Sequence, residues 1–395
     1  MYDKGNQLFG QKGLLFLIRV PVRKLKKGMI VAQSIFNKHG ASYLVKGQPI
    51  STEYISHLEN IGIPTVTVTS ENPNFQLQPP EDVVQEKTRI TAIEKVYDAF
   101  HSVEETGRLD AEAMLDVSDK ILMDVLQRKE NLVQLTDIRL HDTYTFAHSV
   151  NVAILSAMLG MLCRYPKSDL KLLTLGAMLH DLGKIRVPSG ILNKTSRLEE
   201  EEFAVIKSHP SEGARRIHEM ENLLPSPAVL AAVASQHHEH IDGCGYPLGL
   251  TGDKIHRFAK IVAIADVYDA LTSERPYKKA YTPSVTHNIM VNVNVGQFDM
   301  DLLRLFFNNV AIYPVGTIVK TVHGIGIVKS CQFGRTEMPE VIVFATKEGT
   351  LMDHPETYDL YEEGPKAIEG VISDNDLRHF VHVLAIDPSI YLMEQ

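Results

Sequence analysis

Residues 170–182 read LKLLTLGAMLHDL, an apolar helical run that leads straight into His180 and Asp181, followed by Gly183 and Lys184. Two adjacent polar side chains at the end of a helix core pack poorly unless something rewards their burial. Neighbouring helical residues point about 100° apart, which suits a single ion badly. The pair suits two ions instead, with Asp181 bridging them and His180 serving one. His237-His238 poses the same problem and admits the same answer.

The same stretch of chain also carries His148, His209 and Asp266. A lone histidine is more often structural than a ligand, so the case rests on the group. Asp266 sits in IVAIADVYDAL among residues that read as buried, where a carboxylate needs a cation or metal. Asp269 shares its helix face and reads as a hydrogen-bond partner of a ligating histidine or as a further ligand. The donors are nitrogen and oxygen only. Cys163, Cys244 and Cys331 form no CxxC pair, which excludes a zinc ribbon. Imidazole and carboxylate suit iron or manganese, and nickel and zinc fit as well. Two ions about 3.5–4 Å apart support in-line phosphodiester hydrolysis. Lys184 reads either as a phosphate or leaving-group contact or as a solvated loop lysine.

Composition sets the frame. The chain has 395 residues, 44% of them apolar, enough for two or three domains. A net charge of −9 argues against duplex nucleic acid as a partner. Three scattered cysteines point to a reducing, cytoplasmic compartment. The apolar run Leu14 to Ile18 is too short to span a bilayer and lacks a cleavage site, so no integral membrane segment is expected.

The expected fold is multidomain and mainly α. A small N-terminal α/β module covers residues 1–70, with strands at Val20–Val22 and Thr65–Thr69 and a helix from Ser51 to Leu58. A Pro- and Asn-rich linker covers 71–84, and a helical domain covers 85–312. Ile90, Ile93, Val96, Tyr97 and Phe100 give that domain one apolar helix face. Leu170–Leu182 and Phe258–Leu271 are further helices, and 183–191 and 242–252 are loops. A small β-rich region covers 313–395, with strands at 315–319, 324–328 and 341–344. The basic run Arg23, Lys24, Lys26 and Lys27 reads as a solvated face, with contact to an anionic ligand or a membrane surface as the alternative.

His180-Asp181 matches the signature of the HD phosphohydrolase superfamily, and HHEHIDGCGYP at 237–247 is similar to the GYP signature of the HD-GYP family. HDLGKIRVPSGILNK, Lys207-Ser208-His209-Pro210 and ADVYDALTSERPYKKA resemble that family in order and spacing over residues 140–310. The resemblance implies a helical HD-type catalytic core that hydrolyses cyclic di-GMP to linear pGpG, with either pGpG or GMP as the end-point. It implies metal ligands His148, His180, Asp181, His209, His237, His238 and Asp266, with Asp181 and Lys184 catalytic. It also implies substrate contacts by Lys184, Arg275, Lys278 and Tyr246, with Asp242-Gly243 fixing the loop turn. For Arg275 and Lys278 the alternative is surface solvation.

Three-metal members of the family carry Glu four residues before the first ligating histidine. Tyr144 stands there instead, so two divalent transition-metal ions are expected. His141 and His240 are not required by the family pattern and read as loop or solvent residues. The N-terminal zone resembles a module that often precedes HD-GYP domains and is compatible with a homodimer or a signalling-protein partner. Two alternatives stand beside cyclic di-GMP: hydrolysis of 3'3'-cyclic GMP-AMP by the same chemistry, and a non-catalytic cyclic dinucleotide receptor. The filled ligand set weighs against the receptor.

Overall fold

The computed structural model describes residues 15–372 except 23–24, 32–34, 37–41, 46, 61–64, 72–82, 129–143, 193, 195, 197, 274–280, 316 and 365. The chain is mainly helical, with a small antiparallel sheet towards its C-terminal end. Expectations for Arg23, Lys24, His141, Arg275, Lys278 and most of the linker lie outside the described residues.

The N-terminal part contains β1 (Leu15–Pro21), β2 (Ile30–Val31), β3 (Ile35–Phe36), β4 (Ser42–Leu44), α1 (Thr52–Asn60) and β5 (Thr65–Glu71). β5 lies between β1 and β2, both antiparallel to it, with Leu15 opposite Glu71 and Val31 opposite Val68. The Ser51 hydroxyl accepts from the Tyr54 amide at 3.3 Å, closing the first turn of α1.

The helical part runs α2 (Glu86–Thr106), α3 (Ala111–Gln127), α4 (Tyr144–Leu162), α5 (Lys167–Leu179), α6 (Ser189–Leu192), α7 (Glu200–Lys207), α8 (His209–Glu219), α9 (Pro227–Gln236), α10 (Arg257–Thr272), α11 (Pro283–Asn288) and α12 (Met300–Phe307). α2 ends where Gly107 turns left-handed (φ 71°), and Asp110 caps α3 through the Ala113 amide at 3.0 Å. α4 and α10 are apolar on almost every side because both are enclosed, with Val150, Ile154, Leu155, Ile261 and Ile264 fully buried. Val83 and Val84, expected in the linker, are buried in this helical core.

The C-terminal sheet has the order β10 (Ile368–Val371), β6 (Ile318–Thr321), β7 (Gly324–Ser330), β8 (Glu340–Ala345), β9 (Leu351–Asp359), each neighbouring pair antiparallel. The first expected strand begins later than Val315, because a turn closed by Thr317 N–H to the Pro314 carbonyl (3.0 Å) comes first. β9 and β10 lack an apolar alternation strong enough to announce them. β9 is exposed along most of its length.

The two β-rich ends are not separate cores. Val22, Val31, Leu44, Leu58, Val66 and Val68 pack in one cluster with Ile318, Ile325, Ile327, Ile342 and Phe344. Each sheet alone is too small to bury much apolar surface, and together they enclose one interior. Phe344→Ala is therefore expected to cost about 3–5 kcal/mol within that lobe. Hydrogen exchange should quicken in β5 as well as in β6–β8. Faster exchange confined to residues 318–371 would contradict a shared core.

Candidate metal centre

The seven residues named from sequence as ligands converge in one place, six of them buried and His238 partly buried. Most come from helix ends. His148 lies in the first turns of α4, and His209 is the first residue of α8. α5 stops at Leu179, three residues earlier than expected, so His180 caps it and Asp181 stands in the turn before a 3-10 segment at Leu182–Arg186. His237 caps α9, with His238 next, and Asp266 comes from the middle of α10. The stretch 183–191 is correspondingly less of a loop than expected.

Three imidazoles are oriented by one device. The Nδ1 atoms of His180, His209 and His237 contact the carbonyls of Ala177 (2.7 Å), Ile206 (2.7 Å) and Ala234 (2.9 Å), each three residues back. A carbonyl only accepts, so the proton sits on Nδ1 and each Nε2 faces the centre with its lone pair free. His148 is held by a carboxylate instead, its Nδ1 lying 2.6 Å from Asp269 Oδ2. Asp269 thus takes the hydrogen-bonding place that its helix face suggested.

The two oxygens of Asp181 face different groups. Oδ2 lies 3.4 Å from His180 Nε2 and 3.8 Å from His148 Nε2, and His148 Nε2 lies 3.0 Å from Asp266 Oδ1. Oδ1 lies 3.3 Å from His209 Nε2 and 3.9 Å from His237 Nε2, which are themselves 3.3 Å apart. His238 closes this second side, its Nδ1 3.8 Å from Asp266 Oδ2. Ligands about 2.1 Å from a shared ion lie at most about 4.2 Å apart, so these spacings fit metal coordination.

Among the described residues, three groups could hold an ion: His148, His180 and Asp266; His180, Asp181 and His237; His209, His237 and His238. The buried atoms His180 Nε2 and Asp181 Oδ1 have no hydrogen-bond partner among the described residues, a costly state that a divalent cation would relieve.

The charge balance agrees. Burial works to raise the Asp181 carboxyl, but His180, Lys184 and His209 outweigh it and hold its pKa well below the usual range. Asp266 is likewise held low against its burial, chiefly through the His148 hydrogen bond. Burial lowers His180, His237 and His238, the last to about 3, so all three stay neutral and available as ligands. His148 is raised to about 9, because its bonds to Asp266 and Asp269 overcome its own burial. Lys184 Nζ stands 2.5 Å from Asp181 Oδ2 at the partly open edge of the centre.

The Gly-Tyr-Pro loop forms a wall. The Tyr246 ring stacks on His238 with centroids 4.7 Å apart, and its amide donates to the His238 carbonyl at 3.1 Å. Asp242 Oδ1 accepts from the Cys244 amide at 2.9 Å beside Gly243 at φ 83°, as the turn requires. A Cβ on Gly245 would lie 2.3 Å from the His240 nitrogen, so glycine is needed for the close approach. His240 is a loop residue, 4.0 Å from Asp242.

Sequence reasoning missed Glu239, a buried carboxylate that accepts from the amides of Leu248 (2.6 Å) and Leu250 (2.8 Å) and ties the loop down. It also missed Asn151, whose Nδ2 donates to Asp269 Oδ1 at 2.9 Å. The signal was available, since Asn151 lies three residues after His148 on the same helix face.

Two outcomes follow for the metal-free chain. His180, His237 and His238 stay neutral when folded but take up protons near pH 6.5 when unfolded, so the stability present above that pH is lost as pH falls. His148 acts oppositely: its contribution is full below pH 6.5 and is lost as pH rises through about 9. Three groups outweigh one on the acid side. Thermal melts with chelator should therefore show a falling melting temperature from pH 7 to 5.5, and a flat profile would contradict these proton affinities. The second outcome concerns Gly183, where a Cβ would lie 1.9 Å from the His209 carbonyl oxygen and 2.6 Å from the Gly213 nitrogen. Gly183→Ala should push α8 and His209 outward, costing about 1–3 kcal/mol and weakening metal binding. Wild-type melting and metal content in that variant would overturn this role.

Residues 120–302 match the family model described as HD domain. The chain is 36% identical over 258 residues to a cyclic di-GMP phosphodiesterase of Pseudomonas aeruginosa, covering 65% of this chain and 61% of that protein. It is 44% identical over 116 residues to a cyclic di-GMP phosphodiesterase response regulator of Xanthomonas campestris pv. campestris, covering 29% and 30%. It is 35% identical over 137 residues to a 3'3'-cGAMP-specific phosphodiesterase of Vibrio cholerae, covering 35% and 29%. The matches thus span 61%, 30% and 29% of those relatives' own lengths. The segment matched to the HD domain model holds the entire cluster of imidazoles and carboxylates together with the Gly245-Tyr246-Pro247 loop.

Proposed function

We propose that this chain is a phosphodiesterase that opens a cyclic dinucleotide, cyclic di-GMP first, to the linear pGpG. The observation that carries the proposal is the Asp181 carboxylate, whose two oxygens face two different groups of imidazoles. Two divalent ions are assigned, most suitably iron or manganese, with nickel or zinc also matching the donor set. His148, His180 and Asp266 would hold one, and His209, His237 and His238 the other, with Asp181 shared. Such ions supply a nucleophile at neutral pH and neutralise phosphoryl charge.

The protein's own groups set the rest. Lys184 is the cation at the edge of the centre, placed to meet a phosphate oxygen as it approaches Asp181. Tyr246 presents an aromatic wall beside His238, on which a nucleobase can stack. Its phenol is pushed up by burial, so it remains a neutral donor at physiological pH. Arg275 and Lys278 are assigned to the far phosphate or guanine on their charge and their place in ERPYKK. Among the described residues no helix is long and apolar enough to cross a membrane.

A second reading, 3'3'-cyclic GMP-AMP as substrate, is favoured by the similarity to the Vibrio cholerae enzyme. Chromatographic product analysis separates the two. Protein purified without air and reloaded with Fe(II) or Mn(II) should convert cyclic di-GMP to pGpG faster than it converts the hybrid. A faster hybrid reaction would reverse the assignment. No turnover of either by protein with two ions bound would leave a cyclic dinucleotide receptor. Asp181→Ala should lose at least about 100-fold in kcat together with its metal, since even outer partners of a ligating imidazole matter on that scale. Arg275→Ala should raise KM about tenfold with metal content unchanged, and an unaltered KM would remove it from the substrate contacts.

A further inference from the structure

Arg89 is an unusual residue to find buried in the first turn of α2. It is 2% exposed, so a permanent charge on a five-donor fork lies inside the helical core. Burying a guanidinium is costly unless it is tied into a polar network. One tie is clear: Arg89 Nη1 donates to Asn151 Oδ1 at 2.7 Å. Asn151 passes the connection on, its Nδ2 donating to Asp269 Oδ1 at 2.9 Å. Asp269 passes it further, with Oδ2 2.6 Å from His148 Nδ1, and His148 Nε2 points at Asp266 Oδ1 3.0 Å away. All members of this line are buried, and they come from α2, α4 and α10.

We propose that Arg89 is a positioning residue for one half of the metal centre, acting through Asn151 and Asp269 on the imidazole of His148. The direction of each bond supports it. The guanidinium donates to the amide oxygen, which polarises the amide and strengthens its N–H bond to Asp269. Asp269 is thereby fixed with one oxygen towards Asn151 and the other towards His148. The imidazole is locked with Nδ1–H on Asp269 and Nε2 towards the centre. On the other side His209 and His237 are locked by backbone carbonyls of their own chain turns instead. Arg89 also lies before residue 120, where the HD domain match begins. The helix that precedes the matched domain therefore completes the outer shell of its centre.

The inference rests on the two-ion reading, and calorimetric titration of the metal-free full chain with Mn(II) tests the two separately. The wild-type chain should take up two ions. Arg89→Met and Asn151→Ala should each weaken one of them by about 10–100-fold, the scale for losing an outer partner of a ligating imidazole, and leave the other unchanged. In the Asn151→Ala background, Arg89→Met should add no further loss, because the effect travels through that amide. Arg89→Lys, which keeps a cation and a donor, should recover much of the affinity. Two unchanged affinities, equal weakening of both ions, or additive losses would each overturn the role of Arg89 while sparing the centre. A wild-type chain that binds no Mn(II) would overturn the two-ion reading and this inference together. Should Arg89→Met fail to fold by circular dichroism, Asn151→Ala decides the matter alone, with full affinity for both ions counting against the proposal.

Discussion

The structure is organised around one unfavourable fact: the Asp181 carboxylate has no exposure to solvent, yet it stays ionised. A carboxylate without water must be surrounded by donors or cations. Around it stand His180, His209, His237 and Lys184, with His148 and Asp266 behind. Only some of those contacts are hydrogen bonds. His180 Nε2 and Asp181 Oδ1 are among the buried polar atoms left without any in the described residues. Divalent ions held between them would relieve that cost.

Helix termini make the arrangement buildable. A histidine near a helix end can donate Nδ1–H to the carbonyl three residues back and still aim Nε2 away from the helix. His180, His209 and His237 all do this. The backbone thereby orients these imidazoles without recruiting other side chains. His148 lies within a long helix and takes its orientation from Asp269 on α10. Gly183 and Gly213 let the turn after His180-Asp181 press against α8, which sets the distance between the two halves of the centre.

Much of this was legible in the sequence, because the clustered imidazoles and carboxylates are adjacent pairs or lie in apolar runs where a polar side chain packs poorly. His180-Asp181, His237-His238 and Asp266 announce themselves that way, and the loop turn follows from Asp242-Gly243. The end of α5 was placed too late, since LLTLGAM and Leu182 are equally apolar and nothing local marks the stop at Leu179. Arg89 was invisible for another reason. Its partner is 62 residues away, and a single arginine on an amphipathic helix reads as surface. The joint core of the N- and C-terminal strands depends on contacts across nearly the whole chain, between Val66 or Val68 and Phe344. Local patterning carries no information about such pairings.

The central claim is that Asp181 joins two ions held by different halves of the cluster. Anomalous diffraction from crystals of the full chain soaked in Mn(II) tests it most directly. Two peaks should flank the Asp181 carboxylate, one against His148, His180 and Asp266 and the other against His209, His237 and His238. A single peak, or a pair in which neither touches Asp181, would contradict the account.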